Sequence, residues 1–277
     1  MNLQMEITNA CNLRCVECPN RLMKRKRRMM SDEVLEKIFS DYLPSLKNEE
    51  ETRGYPPTII LHKDGEPLLH PNFEAIVRTI SEIAPRFRFN IYTNGLLLTD
   101  RIINMLGSLP NQTWLYVSYH FFNFDGSVND YSKANYVVWR AIEKKFENLA
   151  ILATSHVNRF ASMEFLKAWE MDWIDNIQDG IEGAYGLMIN NHINPWTGLI
   201  EEENCVTFDG CPYQDFGHLF IGVTGNIIPC CMDLEEKLSV GNILEEPKDV
   251  LFERMSDFYS QLSTNLPDLC RKCMGKI

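Results

Sequence analysis

No stretch of this 277-residue chain is apolar for long enough to cross a membrane, and its polar start has no secretory-signal character. Cysteine is missing from the whole interval between Cys18 and Cys205, so the thiols are not scattered as small core hydrophobes would be. Basic residues are in deficit: 27 Lys and Arg stand against 38 Asp and Glu, and the formal charge of −11 argues against nucleic acid as the main partner. Internal repeats and low-complexity tracts are lacking as well, so nothing points to a solenoid or a fibre. What remains is ordinary in bulk: 45% hydrophobic and 23% charged residues, enough for one barrel-sized domain and a small appendage. A soluble cytoplasmic protein without a membrane partner is expected.

The nine cysteines are the exception to that plain composition. Without a secretory signal they point to metal sites in a reducing compartment rather than to disulfides. They gather at the two ends of the chain, as Cys11, Cys15 and Cys18, and then as Cys205, Cys211, Cys230, Cys231, Cys270 and Cys273. The first three form a CxxxCxxC array just after an apolar run, Leu3 to Ile7, that reads as a first strand. Three thiolates on one loop can hold three irons of a cubane [4Fe–4S] cluster and leave the fourth iron open to a small molecule. Three unrelated buried thiols, or part of a zinc site, are the competing readings; zinc prefers paired CxxC groups. In the C-terminal set, Cys270-Arg271-Lys272-Cys273 with two distant cysteines is the four-thiolate pattern of a zinc ribbon or a closed Fe–S cluster. Spacing alone does not separate those metals.

Between the two sets the chain alternates between strand and helix patterns. A basic run (Arg21, Lys24 to Arg28) leads to a helix start at Ser31 with Asp32 and Glu33, and apolar residues follow at helical spacing from Val34 to Leu43. Strands are expected at Thr58–His62, Phe87–Tyr92, Trp114–Tyr119 and Leu149–Thr154, with a weaker one near Ile174–Gln178. Helices are expected around Phe73–Ile83, Thr99–Leu106, Lys133–Phe146 and Ser162–Met171. About six β/α units of this kind predict a parallel sheet with helices outside it, curled into a full or partial barrel. From about Gly180 the rhythm breaks, and Leu219–Val223 with Ile227-Ile228 reads as a hairpin about a Thr-Gly-Asn turn.

Ligand sites of parallel α/β folds lie at the C-terminal ends of strands, and three such ends stand out. After the second strand comes Lys63-Asp64-Gly65-Glu66-Pro67, where a glycine allows close backbone approach and an acid can accept from an ammonium group. The third strand ends in Thr93-Asn94-Gly95, and the fourth contains Ser118, followed by His120. Each also reads as plain structure: Gly-Glu-Pro and Asn-Gly are common turns, and a strand-end serine or histidine is often incidental. Asp125 lies, with His120, where a substrate could sit.

The Cys11–Cys18 array, followed one β/α unit later by Gly65-Glu66-Pro67, resembles the signature of the radical S-adenosylmethionine (SAM) superfamily. That resemblance implies a partial (β/α)6 barrel over residues 1–190, with a [4Fe–4S] cluster on Cys11, Cys15 and Cys18. Its open iron would chelate SAM, whose reductive cleavage gives a 5′-deoxyadenosyl radical that abstracts hydrogen from a substrate. It also implies that Gly65, Glu66 and the Pro67 backbone hold the SAM amino group, with Asn94 and Ser118 as further SAM contacts. Glu17 departs from the usual aromatic residue before the third cysteine, and Asp64 replaces a glycine.

At the other end, Cys211-Pro212-Tyr213, Gly225-x4-Cys230-Cys231-Met232-Asp233, Gly241-Asn242-Ile243 and Cys270–Cys273 resemble the SPASM/twitch auxiliary domain of the same enzymes. This implies a small domain over 191–277 with one auxiliary [4Fe–4S] cluster on Cys211, Cys230, Cys270 and Cys273; Cys205 and Cys231 are spares. The compact layout resembles that of the aminocyclitol dehydrogenases, implying a two-electron oxidation of a small molecule such as an aminocyclitol or sugar alcohol. Peptide or protein modification is the alternative, although no leader-recognition module is expected before Cys11. A non-catalytic protein with a structural zinc is the remote one. No catalytic base is assigned. The basic run Arg21–Arg28 is expected to dock an acidic flavodoxin or ferredoxin as electron donor.

Overall fold

Local signals decide most of the helix ends. Ser31 Oγ accepts a hydrogen bond from the Val34 amide at 3.4 Å, and Thr99 caps a later helix by accepting from Ile102 N at 3.3 Å. The computed structural model describes residues 2–15, 18–46, 56–120, 123–155, 185–189, 211, 213 and 217–274. Its strands are β1 (Asn2–Met5), β2 (Thr58–Ile60), β3 (Arg88–Thr93), β4 (Thr113–Tyr119), β5 (Leu149–Ser155), β6 (Tyr185–Ile189), β7 (His218–Ile221), β8 (Asn226–Ile228) and β9 (Gly241–Asn242). The α-helices are α1 (Asp32–Lys37), α2 (Phe73–Ile83), α3 (Asp100–Gly107), α4 (Ser132–Lys144), α5 (Lys248–Gln261) and α6 (Asp268–Cys273). A π turn, Ile38–Tyr42, continues α1. Among the described residues no helix is long and apolar enough to cross a membrane.

The chain groups into two compact units. One is made of Met1–Ala10, Glu17–Gly65 and His192–Ile277, the other of Cys11–Val16 and Glu66–Asn191. In the first unit β1 is a central strand, parallel both to β2 (Leu3↔Ile59) and to β7 (Leu3↔Leu219). Leu3 and Met5 on one face of it, with Ile7 just beyond, are fully buried, and Gln4 and Glu6 on the other face are buried too, the pattern of a strand covered on both faces. The hairpin expected from the sequence is present: β7 and β8 pair antiparallel, and Gly225 supplies the turn at φ +88°.

In the second unit β3, β4, β5 and β6 are parallel neighbours (Ile91↔Leu115, Val117↔Ala153, Leu152↔Gly186). Strict alternation along β3 and β4 buries Phe89, Ile91, Leu115 and Val117 on one face. The apolar stripes of α2 (Ile76, Val77, Ile80) and α3 (Ile103, Leu106) are buried too, as expected of helices laid on a parallel sheet. The opposite face is half-buried and carries Asn90, Tyr92, Trp114, Tyr116 and Ser118, with Tyr92 and Tyr116 stacked at 4.3 Å.

The sixth parallel strand is Tyr185–Ile189. The helix and strand expected at 162–171 and 174–178 lie outside the described residues, as do Glu17, Pro212 and Cys205. Helices α5 and α6 were not anticipated. Their signal was present, because Pro247 and Pro267 stand just before the first helical residue of each.

Candidate metal and cofactor sites

The strand-end residues of the second unit converge on Glu66. Its side chain is buried and accepts three hydrogen bonds: Oε1 from Leu68 N at 3.0 Å and Thr93 Oγ1 at 2.8 Å, and Oε2 from Asn94 N at 2.7 Å. A carboxylate has about four acceptor sites, so roughly one remains. Burial raises the Glu66 carboxyl above its usual range, and the three donors pull the other way. Asn94 reaches from this carboxylate to the first cysteine loop: its Nδ2 donates to Asn12 Oδ1 at 2.8 Å and approaches Cys11 Sγ at 3.9 Å. Neither Thr93 nor Asn12 was singled out as a site residue, although Thr93 opens the Thr-Asn-Gly motif.

Cys11 is half-buried, and its sulfur receives the Leu13 amide at 3.4 Å; Cys15 is buried. Burial, with a smaller push from the charge of Glu66, holds the Cys11 thiol above its ordinary value. The segment after β4 straps this loop down. Asn123 Oδ1 accepts from Arg14 N at 3.0 Å, Phe124 N donates to Arg14 O at 2.8 Å, and Cys15 pairs with Asn123 in an antiparallel bridge. Ser118 is half-buried, and its carbonyl lies 3.4 Å from the Tyr131 hydroxyl. Asp125 is exposed and taken up by its own turn, accepting from Ser127 N and Oγ.

In the first unit, Cys18 precedes the short 3-10 helix Pro19–Leu22. Gly65 is needed there for a reason other than ligand approach. A Cβ at this position would overlap the Thr8 carbonyl oxygen and lie 2.7 Å from that of Ala10. The glycine admits the chain's own backbone.

Four of the C-terminal cysteines share one cavity. Cys211, Cys230, Cys270 and Cys273 line one apolar pocket, with Pro229, Met232, Phe258 and Leu269 among its other walls. Burial raises the Cys270 thiol to about 11, and the neighbouring Cys211 and Cys273 add to the shift. Cys231 turns elsewhere, its sulfur 2.7 Å from the Tyr213 hydroxyl. Among the described residues no three His, Cys, Asp or Glu side chains stand at the spacing of a single bound metal ion.

The basic run needs a correction at Arg25, which does not serve as a free docking charge. Its side chain is only 13% exposed, and all five N–H donors are used. Nε donates to Leu234 O at 2.6 Å; Nη1 to Glu6 Oε2 at 3.0 Å and to Glu236; Nη2 to Glu6 Oε1 at 3.1 Å and Asp64 Oδ2 at 2.8 Å. Lys63 completes the group, donating to Asp64 and, at 2.9 Å, to the Asp233 carbonyl. Two cations thus face three buried carboxylates. Sequence reasoning missed this network because its members are remote along the chain.

Residues 5–153 match the family model of the radical SAM superfamily, and residues 211–274 match SPASM, an iron-sulfur cluster-binding domain. A curated relative, the S-adenosyl-L-methionine-dependent 2-deoxy-scyllo-inosamine dehydrogenase of Niallia circulans, is 24% identical over 98% of this chain and 91% of its own length. The crystal structure of BtrN in complex with AdoMet and 2-DOIA is similar with a TM-score of 0.65 at 21% identity, over 98% of this chain and 93% of that one. Native anSMEcpe with bound AdoMet gives 0.59 at 19% identity, over 99% and 88%. The fold is shared with both. With more than half of its length matched by the first family model, the chain belongs to the radical SAM superfamily.

Proposed function

We propose that this protein is a radical SAM dehydrogenase that oxidises a small polyol or aminocyclitol, with a SAM-cleaving segment over 1–190 and an auxiliary-cluster segment over 191–277. The observation that carries the reading is the cavity shared by Cys211, Cys230, Cys270 and Cys273, in a chain aligned almost end to end with a dehydrogenase. Thiols around a cavity suit a four-iron cube better than one zinc ion, which draws its sulfurs in to about 2.3 Å. When bound, the groups supply reductive cleavage of SAM, hydrogen abstraction from a substrate carbon, and a second cluster to accept the remaining electron.

The chain's own residues hold and orient. Cys11, Cys15 and Cys18 ligate the first cluster, with the Leu13 amide steadying Cys11. Glu66, fixed by Leu68, Thr93 and Asn94, offers its remaining acceptor site to the SAM ammonium; Gly65 and the Pro67 backbone complete that contact. Asn94 and Ser118 flank it. Cys211, Cys230, Cys270 and Cys273 ligate the second cluster, and Tyr213 holds Cys231 out of that set. A cytoplasmic location fits the eight described cysteines, all free of disulfides.

Anaerobic reconstitution tests this. Wild type and Cys231→Ser load about eight irons per chain and Cys270→Ser about four; equal iron in all three would remove Cys270 from the ligand set. Glu66→Gln places an NH2 group against the amide of Asn94 or Leu68 and weakens SAM binding at least ~10-fold, about 1–3 kcal/mol, at unchanged iron content. Iron lost along with SAM affinity would make Glu66 a structural residue instead.

For the electron donor, Lys24, Lys26 and Arg28 stay exposed once Arg25 is set aside. An acidic flavodoxin or ferredoxin docks there. Reversing these three to Glu slows flavodoxin-driven turnover, most at low salt, and leaves dithionite-driven turnover unchanged. Equal losses with both reductants would end the docking assignment.

A further inference from the structure

The Arg25–Lys63 network has a charge that does not balance. Glu6, Asp64 and Glu236 contribute three negative charges, Arg25 and Lys63 two positive ones, and all five side chains are buried or nearly so. Buried charge is costly unless compensated, so this group is poised to take up one proton when more negative charge arrives beside it. Asp64 has the place for it. Its Oδ2 accepts from both cations, whereas Oδ1 is buried without a hydrogen-bond partner among the described residues.

The network also reaches the segment that carries Cys230. Lys63 Nζ donates to the carbonyl of Asp233, three residues past Cys230, and the field of Lys63 and Asp64 reaches the Cys231 thiol. We propose that the network is a proton store for the auxiliary centre: Asp64 Oδ1 gains an O–H bond when an electron arrives in the pocket of Cys211, Cys230, Cys270 and Cys273, and loses it when the electron leaves. The electron comes from the substrate carbon radical being oxidised, and the proton from solvent. The proposal rests on the reading of the pocket as a cluster site.

The titratable groups around Asp64 among the described residues bear on the direction. Glu6 faces it from the exit of β1, Arg25 from the segment after Cys18, Lys63 and His62 from its own segment, and Cys231 and Glu236 from the C-terminal segment. Burial, and the charge of Glu6, push the Asp64 carboxyl up to about 7 against the pull of Lys63 and Arg25. An added negative charge in the pocket moves it further up, so reduction and proton uptake support each other.

The test is the midpoint potential of the auxiliary centre in the reconstituted holoenzyme, followed by its SAM-insensitive EPR signal between pH 6 and 9. In wild type the equilibrium constant for reduction falls about tenfold per unit rise in pH, 59 mV for a one-electron couple. Asp64→Asn, which keeps the shape and fixes the neutral form, flattens the profile at the acid-limb value. A flat wild-type profile overturns the proposal without any variant, and so does an unchanged slope in Asp64→Asn. A protein that loads no second cluster brings down the pocket reading and this proposal together; a loaded cluster with a flat profile brings down only the proposal.

Discussion

Arg25→Ala lowers the unfolding free energy by about 3–5 kcal/mol, the usual cost of removing one partner from a buried charge network. The loss is read from urea denaturation of the anaerobic protein. Truncation leaves Glu6, Asp64 and Glu236 with Lys63 as the remaining cation of the group, and frees the Leu234 carbonyl of its partner. Arg25→Lys recovers less than half of this, because an ammonium has three donors and no planar fork to meet five acceptors.

The deficit depends on pH, and its sign is fixed by the carboxyls. Burial holds Asp64 and Glu236 above their ordinary values, and Arg25 is among the groups opposing that rise. A raised carboxyl contributes stability below its unfolded pKa and loses it as pH rises through the folded one. Without Arg25 both move further up, so the variant is closest to wild type in mild acid and furthest from it above neutral pH. Glu6 runs the other way: Lys63 and Arg25 outweigh its burial, so its contribution is lost as pH falls through its lowered pKa. A loss below about 1 kcal/mol, the range of an exposed pair, would show that the network is not the clamp its geometry suggests.

Changing Cys11, Cys15 and Cys18 together to Ala abolishes SAM cleavage and leaves about four irons per chain. The effect on activity is large because these three thiolates would hold the cluster whose open iron would bring SAM to the electron. The remaining irons stay in the C-terminal pocket, where Cys211, Cys230, Cys270 and Cys273 are untouched. 5′-Deoxyadenosine formed by the triple variant would place the reaction elsewhere.

The two cysteine arrays were legible because ligand chemistry is written at short spacing, and four of the six C-terminal cysteines do share a cavity. Alternation along β3 and β4 was legible for the same local reason. Arg25 was not. Flanked by Lys24, Lys26, Arg27 and Arg28 it reads as one more surface charge, and its partners lie 19, 39 and 211 residues away. Gly65 has a second need that the sequence does not show: a Cβ there would meet the carbonyls of Thr8 and Ala10. Cys230 and Cys231 are adjacent in sequence, and only the Tyr213 hydroxyl tells them apart.

The position of β1 between β2 and β7 has a consequence for synthesis. Asn2 to Met5 pair with His218 to Ile221, so one edge of β1 waits for residues made more than two hundred positions later. The carboxylate of Glu6 likewise waits for the backbone amide of Val223, and Arg25 for Glu236. Until those residues leave the ribosome, this segment exposes a pairing edge and an incomplete ionic group, the kind of surface that invites wrong pairing.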